Sequence, residues 1–248
     1  GDTLAKFVNE NLRPTLTAAG LETKILNLDY NYNEDNIERA HNIMDKTLDT
    51  ADGIGYHWYS GEPENMAATR EKYPDKLIYV TEASSGNSSG IKLMLNLTQK
   101  IGRSIRSGAN GFITWNIALD TEGGPTYNNV NNHCTALVNY NEATDEVIYG
   151  GDYYGLGHFS KYINSGAVML TSTDTGVDNE YALVNTVFEN TDGSKVAVVT
   201  NEKLTAIISE NAAEIAGDVL ADSVVTDNCY AVSKEWDING VKAVISVE

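Results

Sequence analysis

The chain has 248 residues, 42% of them apolar, enough for a sizeable core in one large α/β domain or two smaller ones. Thirty-five acidic against 17 basic residues give a formal charge of −18, which repels phosphate backbones and anionic membrane surfaces; this argues against nucleic acid as a partner and leaves neutral polyols open. No apolar run reaches the ~18 residues of a membrane span, and Cys134 and Cys229 lie far apart without a Cys-x-x-Cys spacing, so neither a zinc site nor a disulfide scaffold is expected, and no cofactor.

The elements follow in order. Residues 2–19 carry Leu4, Phe7, Val8, Leu12 and Leu16 at helical spacing, with Pro14 as a kink or restart and Gly20 at the C-terminus. KILNLDYN (24–31) reads as a strand and NEDNIERAHNIMDKTLD (33–49) as a helix with Ile37, Ala40, Met44 and Leu48 on one face. IGYHWY (54–59) is the second strand, PENMAATREKY (63–73) a helix, LIYVTE (77–82) the third strand, 88–108 a long helix, and GFITWNI (111–117) the fourth strand. Strands alternating with helices predict a parallel sheet with right-handed crossovers. A polar loop follows (121–132), then a helix at about 152–163.

From residue 165 the texture changes. YALVNTVFENTDGSKVAVVT (181–200) and YAVSKEWDINGVKAVISV (230–247) read as hairpins around NTDG and DING. The expected division is therefore 1–164 for the α/β part and 165–248 for a small antiparallel domain. The stretch 201–225 departs from this, with Ala213, Ile215, Ala216, Val219 and Leu220 near helical spacing. Trp236 is most simply a core residue of the antiparallel domain.

In parallel α/β folds the functional groups collect at the C-terminal strand ends. Those ends supply Asp29, Tyr30 and Asn31; Tyr56, His57, Trp58 and Tyr59; Glu82; and Trp115 and Asn116. Aromatic faces stack on the apolar faces of sugar rings while carboxylates and amides bind hydroxyls, so a polyol-binding cleft is expected. Glu82 poses a question of its own, because a strand that reads as buried on both faces ends on a carboxylate that is costly to bury unpaired. It is either a solvated strand-end Glu paired with a nearby loop or a group placed for chemistry.

Taken in order, GYHWY, TEASSG, GFITWNIALDTEGGPTY and YGLGHFSKYI, followed by ALVNTVFENTDGSKVAVV, resemble glycoside hydrolase family 30, the glucosylceramidase-like retaining β-glycosidases. The resemblance covers roughly residues 2–200. It implies the second half of a (β/α)8 TIM barrel, strands 5–8, followed by an antiparallel β-sandwich: α/β plus all-β. It makes Glu82 the nucleophile and places His57, Tyr59 and Trp115 around a β-linked glucoside or oligosaccharide, to which the strand-end reading adds Asn116 and Asp29 as substrate-binding residues.

The family's acid/base Glu lies in an Asn-Glu-Pro motif that should precede residue 1. This chain contains no such motif; GEPEN (61–65) has the wrong neighbours, and Asp29 lies beside rather than at the required strand end. A retaining glycosidase needs two carboxyls ~5–5.5 Å apart. Two expectations therefore stand together. One is the C-terminal part of a β-glucosidase or endo-β-1,6-glucanase. The other is an inactive half-barrel with weak sugar binding at most. In either case two open sheet edges favour a homo-oligomer.

Several further residues have blander explanations. Trp58 is expected to pack in the barrel wall, His57 has a buried imidazole satisfied by backbone as its alternative, and His133 and Cys134 read as loop decoration. Asn87 and Asn96 fit glycosylation acceptors, with chance the default for a helical Asn96. The chain opens GDTLAKF without an initiator Met, so its lack of a signal peptide says little; a secreted or periplasmic origin is expected of the full-length protein.

Overall fold

The computed structural model describes residues 1–86, 90–126, 134–172 and 183–201, together with the backbone of four later strands, 225–226, 229–230, 233–238 and 241–246. The first helical run is continuous but in three pieces: α1 (Asp2–Phe7), a π turn (Val8–Leu12) and α2 (Arg13–Ala18). Pro14 lies in the first turn of α2, and the wider turn directly precedes it; proline has no N–H to donate, and its ring crowds the carbonyl four residues back. Val8 is buried and Leu12 and Leu16 pack against the core, but Leu4 and Phe7 are exposed, so the helical spacing overstates the buried face. Gly20, at φ 69°, closes the run as expected.

Four parallel strands follow in sheet order β1-β2-β3-β4: β1 (Leu26–Asn31), β2 (Gly53–His57), β3 (Leu77–Glu82) and β4 (Gly111–Phe112). Their connections are α3 (Glu34–Met44), a 3₁₀ turn (Pro63–Met66) continued by α4 (Ala67–Lys72), and α5 (Gly90–Arg106). Ile54, Tyr56, Ile78 and Val80 point back into this helix layer and are fully buried against Ala40, Met44, Met66, Leu97 and Ile101.

The opposite face carries glycines, and neighbouring side chains take up the space. A Cβ at Gly53 would meet the Leu77 carbonyl at 2.2 Å, and one at Gly111 the Tyr79 ring at 2.3 Å. α3 ends at Met44 instead of running to residue 49, and Leu48, expected on its buried face, is exposed. Beyond the last turn the Thr47 hydroxyl donates to the Ile43 carbonyl, the kind of local side-chain bond that competes with helix continuation.

The fourth strand is the larger correction. Pairing stops at Phe112, and the chain passes through a cis Trp115–Asn116 peptide into a separate three-stranded sheet: β5 (Ala118–Asp120), β6 (Val138–Asn141) and β7 (Glu146–Tyr149). Part of the expected polar loop, 127–132, lies outside the described residues, as does His133.

Helix α6 (Gly151–Ser160) then lies against α5. Its Gly151 and Gly155 allow the approach, since a Cβ there would stand 2.5 Å from the Gly90 carbonyl or 2.9 Å from that of Met94. The antiparallel part begins with β8 (Val168–Leu170), β9 (Leu183–Glu189) and β10 (Lys195–Asn201), in sheet order β10-β9-β8. β9 and β10 form the expected hairpin, and Phe188 and Val198 join the same core cluster as Ile101. Two further hairpins, β11 (Val225–Thr226) with β12 (Cys229–Tyr230) and β13 (Ser233–Ile238) with β14 (Val241–Ser246), are antiparallel; the second spans DING as expected. The helical spacing within 202–224 and the side chain of Trp236 lie outside the described residues.

Candidate active site

Two irregularities in the parallel sheet set the positions of the acidic groups. In β1 the register shifts between Leu28 and Tyr30, and Leu28 and Asp29 have φ of 71° and 56°. A leucine in the left-handed region is strained by about 1–3 kcal/mol. In return the Asp29 carboxylate swings over Gly55, where a Cβ would stand 3.5 Å from its Oδ1 and 2.9 Å from Thr81 Cγ2. In β3, Thr81 is an extra residue: Tyr56 pairs with Val80 but His57 with Glu82. Bulges of this kind re-aim side chains next to functional sites, and this one sets Glu82 directly beside His57.

The resulting cluster is tightly connected. The Asp29 Oδ1 accepts from the Thr81 hydroxyl at 2.7 Å and meets His57 Nε2 at 3.0 Å. The same imidazole nitrogen stands 3.7 Å from Glu82 Oε2, and the Tyr59 hydroxyl donates to Glu82 Oε1 at 3.0 Å. Burial pushes Asp29 up, but the Thr81 hydroxyl and the His57 imidazole outweigh it and hold the carboxyl below its usual value. Tyr59 moves the other way, pushed up by burial and by its bond to Glu82. The Asn31 amide oxygen fixes Tyr59 by accepting from its backbone N–H at 3.1 Å.

Trp58 packs edge-on to Phe112 and donates from Nε1 to the Ser84 carbonyl, so it belongs to the wall. Trp115 is 50% exposed, and its backbone N–H donates to the Ala83 carbonyl at 2.8 Å, placing it on the segment alongside the loop after Glu82. Asn116 is tied by its backbone to Thr135, but its side-chain nitrogen is buried with no hydrogen-bond partner among the described residues.

Of the expected residues, then, Asp29, His57, Tyr59 and Glu82 meet through side chains, Trp115 joins them through backbone, and Asn116 lies one step away. Sequence inspection missed the residues that hold them: Thr81, Ser84, Thr135 and Asp152. Thr81 and Ser84 carried a signal as members of TEASSG, and Asp152 as the one acidic residue of GDYYGLGHF, while Thr135 carried none. Among the described residues no group of His, Cys, Asp and Glu could hold a metal ion, and no helix is long and apolar enough to cross a membrane.

Residues 2–163 match the family described as the glycosyl hydrolase family 30 TIM-barrel domain. Over 235 residues the chain is 25% identical to an endo-1,6-beta-D-glucanase of Neurospora crassa, an alignment covering 91% of this chain and 48% of that protein. It is 30% identical over 216 residues to putative glucosylceramidase 1 of Caenorhabditis elegans, covering 81% of this chain and 40% of the relative. The solved structure of SrfJ from Salmonella typhimurium superposes with a TM-score of 0.71 at 28% identity, covering 79% of this chain and 44% of that one. The endo-beta1,6-glucanase BT3312 superposes with a TM-score of 0.68 at 32% identity, covering 79% and 46%. The chain thus spans less than half the length of these relatives.

Proposed function

The chain belongs to glycosyl hydrolase family 30, and from that premise we propose that Glu82 is the nucleophile of a retaining β-glycosidase acting on β-linked glucosides or β-1,6-glucans. The observation that carries this reading is the hydrogen bond from the Tyr59 hydroxyl to Glu82 Oε1, with His57 on the other carboxylate oxygen at 3.7 Å. A strand-end Glu serving only as a surface ion pair would face a Lys or Arg; this one faces a phenol on one oxygen and an imidazole on the other, which fix its orientation.

In this scheme the Glu82 carboxylate attacks the anomeric carbon, the bond to the aglycone oxygen breaks, and a glycosyl–enzyme ester forms. Water then cleaves the ester and regenerates the carboxylate. Trp115 stacks on the apolar face of the sugar, Asp29 accepts from a hydroxyl, and His57 and Tyr59 hold Glu82. Asn116 supplies a donor that no described residue accepts, and a sugar hydroxyl would accept from it. The second carboxyl of the mechanism, which protonates the departing oxygen, is absent from these strand ends. β1 to β4 correspond to strands 5–8 of the family's barrel, with residues 165–248 as the accompanying β-sandwich domain.

The alternative is a catalytically inactive, self-associating half-barrel with weak carbohydrate binding. It is favoured by one observation: among the described residues β1 and β4 each have a free edge in the four-stranded sheet, and Ile113 and Ile117 beyond β4 are more than half exposed.

The deciding experiment is incubation with a 2-deoxy-2-fluoro-β-glucoside bearing a dinitrophenolate leaving group, read by intact mass and peptide mapping. That leaving group departs without protonation, so the second carboxyl is not required. A covalent adduct on Glu82, absent in Glu82→Gln, is expected. A folded wild-type chain that gains no adduct would leave the inactive alternative standing.

A further inference from the structure

Beneath the rim lies a carboxylate whose bonding partners among the described residues are both neutral hydroxyls. Asp152, in the first turn of α6, is 4% exposed; its Oδ2 accepts from the Thr135 hydroxyl at 2.6 Å and its Oδ1 from that of Ser85 at 3.4 Å. Burial pushes its pKa up against these two hydroxyls. A buried carboxylate bonded to hydroxyls alone costs stability, even with the help of a helix N-terminus. That cost calls for a return elsewhere.

The return is visible in what the two hydroxyls hold. Ser85 lies three residues after Glu82, on the loop that leaves β3. Thr135 is bonded to both walls of the site: its N–H donates to Ser84 Oγ at 3.3 Å, and its carbonyl accepts from the Asn116 N–H at 3.2 Å. Asp152 is thus where the loop after Glu82 and the strand-like segment behind Trp115–Asn116 are fastened together. The fastening point is itself rigid, because the glycines at 151 and 155 seat α6 directly on the α5 backbone.

We propose that Asp152 is a positioning residue for the Glu82 site: its carboxylate sets the separation between the loop that follows Glu82 and the segment carrying Trp115. A sugar stacked on Trp115 then presents its anomeric carbon to Glu82. This role rests on the glycosidase reading above, and it gives a buried acid outside the cleft a share in the chemistry through geometry alone.

The test uses the full chain and the variant Asp152→Asn, which keeps the shape but turns one acceptor into a donor facing a hydroxyl. Three quantities are compared with wild type: melting temperature, deuterium uptake in peptides covering 83–86 and 114–118, and labelling by the activated fluoroglycoside as a function of its concentration. The expected result is an unchanged or higher melting temperature, since a buried charge has gone, with faster exchange confined to those two peptides. The maximal labelling rate should fall about tenfold or more while the half-saturating concentration moves much less, because the stacking surface remains and only its alignment with Glu82 is lost. Thr135→Val, which removes the shorter bond and leaves the carboxylate, should reproduce the local exchange.

Exchange and labelling rate both within about twofold of wild type would overturn the proposal, as would a fall in melting temperature with exchange raised throughout the chain, the mark of a merely structural residue. If wild type takes no label, the glycosidase reading fails; the exchange pattern then decides the fastening role by itself, since uniform or unchanged exchange refutes it and a local increase supports it.

Discussion

The rim of β1–β3 and the segment from Ile113 to Tyr149 both reach solvent, but they are held in different ways. On the rim, Asp29, Thr81, His57, Glu82 and Tyr59 are joined across three strands by side-chain contacts, over a floor of glycines that leaves no spare volume. β4 pairs with β3 over two residues, Ile113 and Trp115 add one backbone bond each to Val80 and Ala83, and the chain then leaves the sheet and exposes Ile117, Val147 and Ile148, with Ile113 before them. A strand with hydrogen-bonded neighbours on both sides has its register, and therefore the aim of its last side chain, fixed twice. β4 is fixed once. His57 and Glu82 stand where the constraint is double, Asp29 on the edge strand β1 is held by its bonds to Thr81 and His57 instead, and the exposed apolar surface gathers where the constraint is single.

The most forceful way to break this contrast is to fill the floor. Gly53→Val would drive a Cβ into the Leu77 carbonyl, 2.2 Å away, where neither backbone can give. Overpacking of that kind is expected to cost ~3 kcal/mol or more, read from the midpoint of a urea transition. Ile117→Ser, at a residue 74% exposed, should stay within ~0.5 kcal/mol of wild type in the same assay. Equal effects at the two positions would mean that the segment past β4 is as tightly held as the interior of the sheet.

The next effect falls on the rim alone. Tyr59→Phe removes the bond to Glu82 Oε1 and keeps the half-exposed ring. A hydrogen bond to a charged group contributes ~1.5–3 kcal/mol, so labelling of Glu82 should slow by roughly ten- to a hundredfold with the melting temperature unchanged. An unchanged labelling rate would mean that Tyr59 does not orient the carboxylate.

The same contrast decides what was legible in the sequence. β3 was readable to its exact bounds because Leu77–Glu82 is an apolar run between clear turn signals, and its partners enforce what the pattern suggests. The residues gathered around Glu82 could be named from strand ends, since side chains at neighbouring parallel ends must meet. GFITWNI has the composition of a strand as good as LIYVTE, yet only Gly111 and Phe112 pair. Composition reports that a segment is able to pair, while the partner decides how far it does. The two bulges were equally invisible: nothing in NLDYN or YVTEA marks Leu28 as left-handed or Thr81 as supernumerary. They arise from the fit of three strands, and the burial of Asp152 from the seating of α6 on α5.

The smallest expected effect lies behind the rim, on the back of β2. Tyr56, the neighbour of His57, turns the other way, and its hydroxyl meets Thr69 Oγ1 at 2.8 Å, which in turn meets His41 Nε2 at 3.0 Å. Burial, and then the Lys72 charge, lower the pKa of His41 below its ordinary value, with Asp45 opposing. The unfolded chain therefore holds more protons than the folded one in the window just beneath the ordinary histidine value. Stability from this group is complete above that value and is lost as the pH falls through the lowered one. Between about pH 7.5 and about pH 5, wild type should lose slightly more stability than His41→Gln, with labelling at the upper pH the same in both. An equal loss in the two chains would mean that His41, packed between Tyr73 and the Thr69 hydroxyl, carries no share of the acid sensitivity of the fold.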